Sequence, residues 1–146
     1  MSDIVSYEVV DGIAVITMDD GKANAVSLAL QEGVNNALDR AETDGLAVVL
    51  TGRPGFLSAG FDLKTLAASG QPAVDMLNGG IELAIRLLSF PRPVIVASPG
   101  HAIAMGVFLS LSGDYRIGVD GPYRYEIGRA HVRTPVTSLS RMPPFA

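Results

Sequence analysis

The segment Ser58-Ala59-Gly60-Phe61-Asp62-Leu63 contains the residue types and spacing that best suggest chemistry in this chain. It follows an apolar, strand-like run, Ala47–Thr51, and it combines a glycine with Asp62, a residue that can begin a helix. A strand that ends in such a turn leaves backbone N–H groups without partners. These groups bind an anion, or an oxygen atom that becomes negatively charged during a reaction. The segment therefore predicts a site in which main-chain N–H groups stabilise negative charge.

The composition limits the chemistry available around this segment. The chain has 146 residues, enough for one domain with a buried core, and its hydrophobic fraction of 48% excludes an intrinsically disordered protein. It has no cysteine and only two histidines, His101 and His131, which argues against thiol chemistry, disulfides and a histidine-rich metal site. The net charge of −4 without a basic block argues against a nucleic-acid partner. We therefore expect neither a metal nor a nucleic acid at the site.

One uncharged stretch, residues 94–112, is long enough to span a membrane. Pro99, Gly100 and Gly106 interrupt it, so a buried strand, a loop and a buried helix fit it better. The N-terminal residues Met1-Ser2-Asp3 do not resemble a signal peptide. We therefore expect a cytoplasmic protein with no membrane span.

The hydrophobic pattern predicts a β-hairpin followed by alternating strands and helices. The predicted elements are strands 6–10 and 13–18, a helix from Ser27 to Gly45, strand 47–51, a loop at 52–63, a short helix from Lys64, a helix from Pro72 to just before Pro91, strand 94–97, a loop at 99–105, a helix at 106–111 and strand 115–118. Gly79-Gly80 are predicted to weaken or kink the long helix. This order predicts an α/β fold with parallel pairing after the first hairpin.

Residues adjacent to the glycines exclude two common nucleotide sites. Residues 55–60 have the glycine spacing of a phosphate-binding loop, but Phe61-Asp62 follow where that loop needs Lys and Ser or Thr. No G-x-G-x-x-G sequence is present, which argues against a dinucleotide site. Asp19-Asp20-Gly21 lacks the alternating acidic residues of a calcium loop and is interpreted as a turn.

Three motifs, in the right order, resemble the enoyl-CoA hydratase/isomerase (crotonase) superfamily. Residues 58–63 resemble its A-G-x-D-L signature, and residues 93–114 resemble its strand, glycine-rich loop and helix that lead to an acidic residue. Residues 21–25, Gly-Lys-Ala-Asn-Ala, match its early coenzyme A loop. The resemblance covers nearly all of residues 4–125. It implies a crotonase-like β-β-α spiral of strand–helix repeats, truncated before the C-terminal helices that cover the active site.

The resemblance also implies a substrate and a mechanism. Family members bind acyl-CoA thioesters and polarise the thioester carbonyl with two backbone N–H groups, which by position are the amides of Phe61 and Met105. Each such donor often contributes about 3–4 kcal/mol where charge develops on the enolate oxygen. Coenzyme A belongs to the substrate, so no separate cofactor is implied. The implied substrate-binding residues are Ala23, Ala25, Gly60, Asp62, Leu63 and Lys64, the last as a phosphate contact.

Some residues depart from the family pattern or have a structural interpretation. Phe108 stands where many hydratases carry a glutamate, which argues against hydration with two carboxylates, so for the parent protein isomerisation or a related enolate reaction that uses one downstream carboxylate is an equal alternative. Asp62 is interpreted mainly as a helix cap, and Asp114 and His101 as structural residues. Glu82 is a weak acid or base candidate, with a solvent-exposed position as the alternative.

The segment 126–146 differs from the rest of the chain. Residues 126–137 resemble a translated sequencing adapter, which predicts that the gene's own sequence ends near Tyr125. The predicted organisation is then an acyl-CoA-binding portion, 1–125, and a non-native, disordered tail, 126–146, with a genuine divergent C-terminus as the alternative. Glu126 is therefore not assigned as the missing carboxylate.

The expected function follows from these predictions. The parent protein is an acyl-CoA-processing enzyme of the hydratase/isomerase type, and this chain is an inactive fragment without a working acid or base. Full-length family members form homotrimers or hexamers, an assembly that is not expected of this chain. The alternatives are a non-catalytic acyl-CoA-binding protein and an incompletely folded fragment.

Overall fold

A β-hairpin begins the fold in the computed structural model, which describes residues 4–128. Strands β1 (Val5–Val10) and β2 (Ile13–Met18) are antiparallel, with Val5 opposite Met18. Asp11 and Gly12 connect them with φ of 50° and 77°, the positive values that a two-residue turn needs to match the twist of both strands. The hairpin and its turn are as predicted.

The elements after the hairpin alternate between helices and strands. In chain order they are α1 (Leu28–Asp44), β3 (Ala47–Thr51), β4 (Gly55–Ser58), α2 (Leu63–Ala68), α3 (Gln71–Leu88), β5 (Val94–Ser98), β6 (Gly100–Ile103), α4 (Met105–Leu111), β7 (Tyr115–Gly118) and β8 (Tyr125–Glu126). One sheet has the order β1-β2-β3-β5-β7, and a second has the order β4-β6-β8. Within residues 4–128 these strands pair in parallel after the hairpin, with one isolated antiparallel bridge between Arg53 and Phe56, and this confirms the predicted α/β class.

The core lies between the larger sheet and the long helices. Alternate residues of the central strands are buried, and Ile16, Leu50 and Val96 lie side by side in register. Helix α1 buries Leu30 and Leu38 against this layer. Its ends are as predicted, because the Leu30 amide donates to the Ser27 hydroxyl at 3.2 Å and Gly45 ends the helix with φ of 65°.

Two predicted loops are wrong, because each contains a strand. Strand β4 lies within the segment 52–63 and β6 lies within 99–105. Each strand has four residues and pairs with the other, so their hydrogen bonds come from contacts distant in sequence. Helix α3 begins at Gln71, one residue before the predicted start, and continues through Gly79-Gly80 without a break. Within residues 4–128, no helix combines the length and apolar character that crossing a membrane requires.

Candidate active site

The amide of Phe61 projects from a turn whose neighbouring atoms are held in place. The Gly60 carbonyl accepts a hydrogen bond from the Val26 amide at 2.8 Å. Because the peptide bond between Gly60 and Phe61 is trans, the Phe61 N–H points away from Val26. Among residues 4–128 this N–H has no acceptor. It is therefore free to bind an oxygen atom from a ligand.

Ser58 fixes the other side of the same turn. Its buried hydroxyl accepts from the Gly60 amide at 3.1 Å and donates to the Asn24 carbonyl at 2.6 Å. The Ala59 amide donates to the Ala23 carbonyl at 2.9 Å. The turn is thus joined by hydrogen bonds to the early loop that the sequence assigned to coenzyme A.

The amide of Met105 is the second free donor. Met105 is the first residue of α4, and the preceding carbonyl of Ala104 accepts from Val107 at 3.0 Å within the helix. The Met105 N–H therefore points out of the helix, and no acceptor for it is found in the described part of the chain. Ala104 has φ of 49° and ψ of −117°, a conformation that L residues rarely adopt. Backbone strain of this kind is concentrated at functional sites.

Two glycines bring the segments that carry these amides into contact. A Cβ atom added to Gly60, whose φ is 94°, would lie 3.0 Å from the Ala104 Cβ and 3.5 Å from the Met105 nitrogen. A Cβ on Gly106 would collide with the carbonyl oxygen of Ser58 and lie 3.0 Å from its carbonyl carbon. Both backbones can approach so closely only because these positions lack side chains. The structure thus brings together the segments bearing the two predicted donors.

The early loop beside this turn is organised by two residues that the sequence did not single out. The Asp20 carboxylate accepts hydrogen bonds from the amides of Lys22, Asn24 and Ala25 at 2.7–3.1 Å. Asn24 is fully buried with φ of 51°, and its side-chain amide donates to the Met18 and Leu57 carbonyls at 2.7 and 3.2 Å. Asparagine is among the residues that tolerate this conformation, a signal that was available from the sequence. Ala23 and Ala25 are half-buried beside the turn.

Asp62 is a helix cap, as its structural interpretation predicted. One carboxylate oxygen accepts from the Thr65 amide at 2.9 Å and from the Thr65 hydroxyl at 2.7 Å. These hydrogen bonds stabilise the charged form and lower the pKa of Asp62 below its usual value. A carboxylate with a lowered pKa is a weak base. Leu63 is 77% exposed and Lys64 is also exposed, so both lie at the surface beside the turn.

The other titratable candidates are engaged elsewhere or face solvent. Asp114 accepts from the Val94 amide at 2.7 Å, and Nδ1 of His101 accepts from the Arg124 amide at 3.0 Å. Glu82 is exposed on α3. Phe108, one helical turn after Met105, is 45% exposed and offers no titratable group. No cluster of three His, Asp or Glu residues that could hold a metal ion occurs within residues 4–128.

The predicted boundary after Tyr125 falls inside strand β8. Glu126 belongs to this strand, its carbonyl accepts from the Ala104 amide at 2.6 Å, and its side chain pairs with Arg124 at 2.9 Å. Residues 129–146, most of the predicted tail, lie outside the described residues. The division into 1–125 and 126–146 stays a prediction.

Comparisons with known proteins give enoyl-CoA hydratases and carnitinyl-CoA dehydratases among the relatives. Residues 8–131 match the family described as "Enoyl-CoA hydratase/isomerase". A probable enoyl-CoA hydratase of Bacillus subtilis is 30% identical over 146 residues, which cover 97% of this chain and 54% of that protein.

Solved structures agree with this match. The apo enoyl-CoA isomerase of Mycobacterium tuberculosis has 57% identity and a TM-score of 0.76 over 80% of this chain and 51% of its own. An enoyl-CoA hydratase/isomerase family protein of Pseudomonas syringae has 52% identity and a TM-score of 0.81 over 84% of this chain and 53% of its own. The chain spans about half the length of these relatives.

Proposed function

Because the chain belongs to the enoyl-CoA hydratase/isomerase family, we propose that the amides of Phe61 and Met105 bind the carbonyl oxygen of an acyl-CoA thioester and stabilise its enolate. The observation that supports this proposal is a pair of N–H groups that have no acceptor within residues 4–128 and that lie on two backbone segments in close contact. Two donors fixed before the ligand arrives match the requirement for stabilising a developing oxyanion.

The chemistry requires the donors to act most strongly on the charged intermediate. When a proton leaves the carbon beside the thioester, its bonding electrons move toward the carbonyl oxygen, which becomes negative. A hydrogen bond to this oxygen then becomes charge-assisted and roughly doubles in strength. The fixed amides stabilise the enolate more than the neutral thioester, and this difference lowers the barrier.

The residues around the donors supply the proposed binding surface for the rest of the substrate. Ala23 and Ala25 are small and half-buried, so a flat adenine ring or a pantetheine chain can approach the backbone there. Gly60 and Asp62 lie in the turn, Leu63 begins α2, and the exposed Lys64 is the proposed phosphate contact. Coenzyme A enters as part of the substrate, so no additional cofactor is proposed.

For the whole protein we propose two comparable reactions, namely hydration with two carboxylates and isomerisation or a related enolate reaction that needs one downstream carboxylate. Phe108 cannot transfer a proton, and the carboxylates of Asp62 and Asp114 accept backbone hydrogen bonds. We therefore propose that the 146-residue chain binds acyl-CoA with negligible turnover. A non-catalytic acyl-CoA-binding protein is the alternative, because it needs the same donors and no base.

Isothermal titration calorimetry with two matched ligands tests the binding proposal. Butyryl-CoA has the thioester carbonyl, whereas S-butyl-CoA is a thioether without it. Two hydrogen bonds to a neutral carbonyl contribute about 0.5–1.5 kcal/mol each, so we expect the thioester to bind about tenfold more tightly. Equal affinity for the two ligands would contradict the proposal that the amides bind the thioester carbonyl.

Turnover separates the enzyme from the binding protein. We expect the 146-residue chain to leave crotonyl-CoA and a 3-enoyl-CoA unchanged, and the gene extended beyond codon 125 to convert at least one of them. Measurable conversion by the 146-residue chain would contradict the inactive-fragment proposal. An inactive extended protein that binds butyryl-CoA would favour the non-catalytic alternative.

A further inference from the structure

Helix α3 contains an unusual pair of residues at its centre. Gly79 and Gly80 lie within an 18-residue helix, where each glycine costs about 1 kcal/mol relative to alanine. Neither has a positive φ, so the backbone conformation does not require glycine. Glycine at these positions must therefore be explained by the lack of room for a side chain beside the helix.

The space beside Gly80 is filled by the ring of Phe61. A Cβ atom on Gly80 would collide with Cε1 of that ring and lie 2.6 Å from Cζ. The ring thus rests on bare helix backbone, partly buried against the core. Phe61 is the residue whose amide is the first proposed donor, so Gly80 determines where the side chain of that residue can lie.

This contact supplies a constraint that the turn otherwise lacks. Upstream, the peptide before Phe61 is held by the hydrogen bond from Val26 to the Gly60 carbonyl. Downstream, its orientation depends on rotation about the bonds of Phe61. On the other side of this peptide, Gly60 does little to oppose its rotation, because glycine has the greatest conformational freedom of the amino acids. Anchoring the Phe61 ring on α3 fixes the second side of the peptide.

Gln31 connects the same part of α3 to the upstream anchor. Its buried side-chain amide donates to the Val26 carbonyl at 3.3 Å and to the Met76 carbonyl of α3 at 2.8 Å. A Cβ on Gly79 would collide with the side-chain oxygen of Gln31. The two groups that hold the Gly60–Phe61 peptide, namely the Val26 backbone and the Phe61 ring, are therefore both connected to α3 near Gly79 and Gly80.

We propose that Gly80 is a positioning residue, whose bare backbone seats the Phe61 ring and thereby orients the Phe61 N–H toward the thioester oxygen. This inference rests on the proposed function, because it specifies how one of the two donors is aimed. Gly80 itself does not touch substrate. Its effect passes through the Phe61 ring.

The test uses a ligand that reports the donors without a catalytic base. Acetoacetyl-CoA loses a proton from the carbon between its two carbonyl groups to solvent, and the electrons of that C–H bond form an enolate with its own ultraviolet absorbance. Donors that stabilise the enolate raise the enolised fraction of bound ligand. Free coenzyme A, which has no thioester, reports binding of the remainder of the molecule.

We expect Gly80→Ala to lower the ratio of enolate to neutral bound ligand about tenfold, since small displacements of catalytic groups carry large penalties. The Kd of free coenzyme A should stay unchanged. Asn78→Ala, an exposed substitution on the same helix, is the matched control and should leave both readouts unchanged. A general loss of structure would instead weaken both ligands together.

A second variant distinguishes the proposed loss of the ring contact from misfolding caused by Gly80→Ala. Phe61→Ala removes the ring without adding bulk and keeps the amide, so it should produce the same loss of enolisation. In that background Gly80→Ala should have no further effect, because its action passes through the ring. Unchanged enolisation in Gly80→Ala, or additive losses in the double variant, would overturn the role of Gly80. Absence of enolisation in the unmodified chain would overturn the proposed function as well.

Discussion

The two proposed donor amides are held by different kinds of structure. The Phe61 amide lies in a turn fixed by side chains, namely the Ser58 hydroxyl and the Phe61 ring on Gly80, together with the backbone hydrogen bonds from Val26 to Gly60 and from Ala59 to Ala23. The Met105 amide lies between a strained Ala104, whose own amide donates to the Glu126 carbonyl, and the first turn of α4, and the Met105 side chain is buried in the core. The first amide can therefore be loosened by removing the Ser58 hydroxyl or the Phe61 ring, whereas the second depends chiefly on the backbone conformation at Ala104.

The largest expected effect comes from the contact that both regions share. Gly106→Ala places a methyl group against the backbone of Ser58, which cannot move aside as a flexible side chain can. We expect a loss of about 3 kcal/mol in the free energy of unfolding, at the upper end for overpacking, and loss of the preference for butyryl-CoA over S-butyl-CoA. Urea denaturation and calorimetry measure the two effects.

Gly79→Ala is the matched control for that substitution. Its new methyl group meets the far end of the Gln31 side chain, which can shift more readily than backbone although its amide is hydrogen-bonded to Val26 and Met76, and alanine favours the helix. We expect a change of about 1 kcal/mol or less. Equal destabilisation by the two substitutions would contradict a rigid backbone contact at Gly106.

The next effect isolates the region held by side chains. Ser58→Ala leaves the Gly60 amide and the Asn24 carbonyl buried with one partner fewer, at a cost of about 2 kcal/mol. Ser110→Ala is the control, because the Ser110 hydroxyl is buried but has no hydrogen-bond partner in the described structure. We expect the control to change stability by less than about 0.5 kcal/mol, and similar losses in both variants would disprove the bracing role of Ser58.

A smaller effect of opposite sign tests the region held by backbone. Ala104→Gly should relieve the strain at φ of 49°. Glycine also raises the conformational entropy of the unfolded chain, which opposes this gain, and we expect a net stabilisation of about 1 kcal/mol. Ala102→Gly, in strand β6 with an ordinary backbone conformation, should destabilise it by about 1 kcal/mol. Thermal denaturation of both variants measures the difference, and destabilisation by Ala104→Gly would argue against stored strain.

The smallest effect concerns the cap that follows the first donor. Hydrogen bonds from Thr65 lower the pKa of Asp62 in the folded state, so its carboxylate contributes stability above the unfolded pKa. This contribution is lost as the pH falls below about 4, through the lowered folded value. We expect the change to be about 0.5 kcal/mol or less near solvent, and Asp62→Asn should remove it.

Urea denaturation between pH 3 and pH 6 measures this dependence. Asp75→Asn, an exposed carboxylate on α3 whose partner is the Gln71 side chain, is the control. An identical pH profile in the unmodified chain and in Asp62→Asn would show that the cap contributes nothing through its charge.

Predictions from the sequence succeeded where the determining interactions are local. The Asp11-Gly12 turn, the Ser27 and Gly45 ends of α1 and the Asp62 cap each depend on atoms within a few residues, so residue type alone indicates them. Strands β4 and β6 were missed because four-residue segments rich in glycine have no usable period. They are strands only because they lie beside each other.

The sequence by itself indicated the family and the α/β class, and it named the two residues proposed as donors, because motif order and hydrophobic spacing can be read without coordinates. Only the tertiary structure decided that these two amides have no acceptor within residues 4–128, that Gly60 and Gly106 let their backbones approach, and that the Phe61 ring packs on Gly80. The physical reason is that the direction of an amide N–H depends on which donor the carbonyl oxygen of the same peptide bond accepts from. In this chain the Val26 amide, which holds that carbonyl at Gly60, is 34 residues away along the sequence.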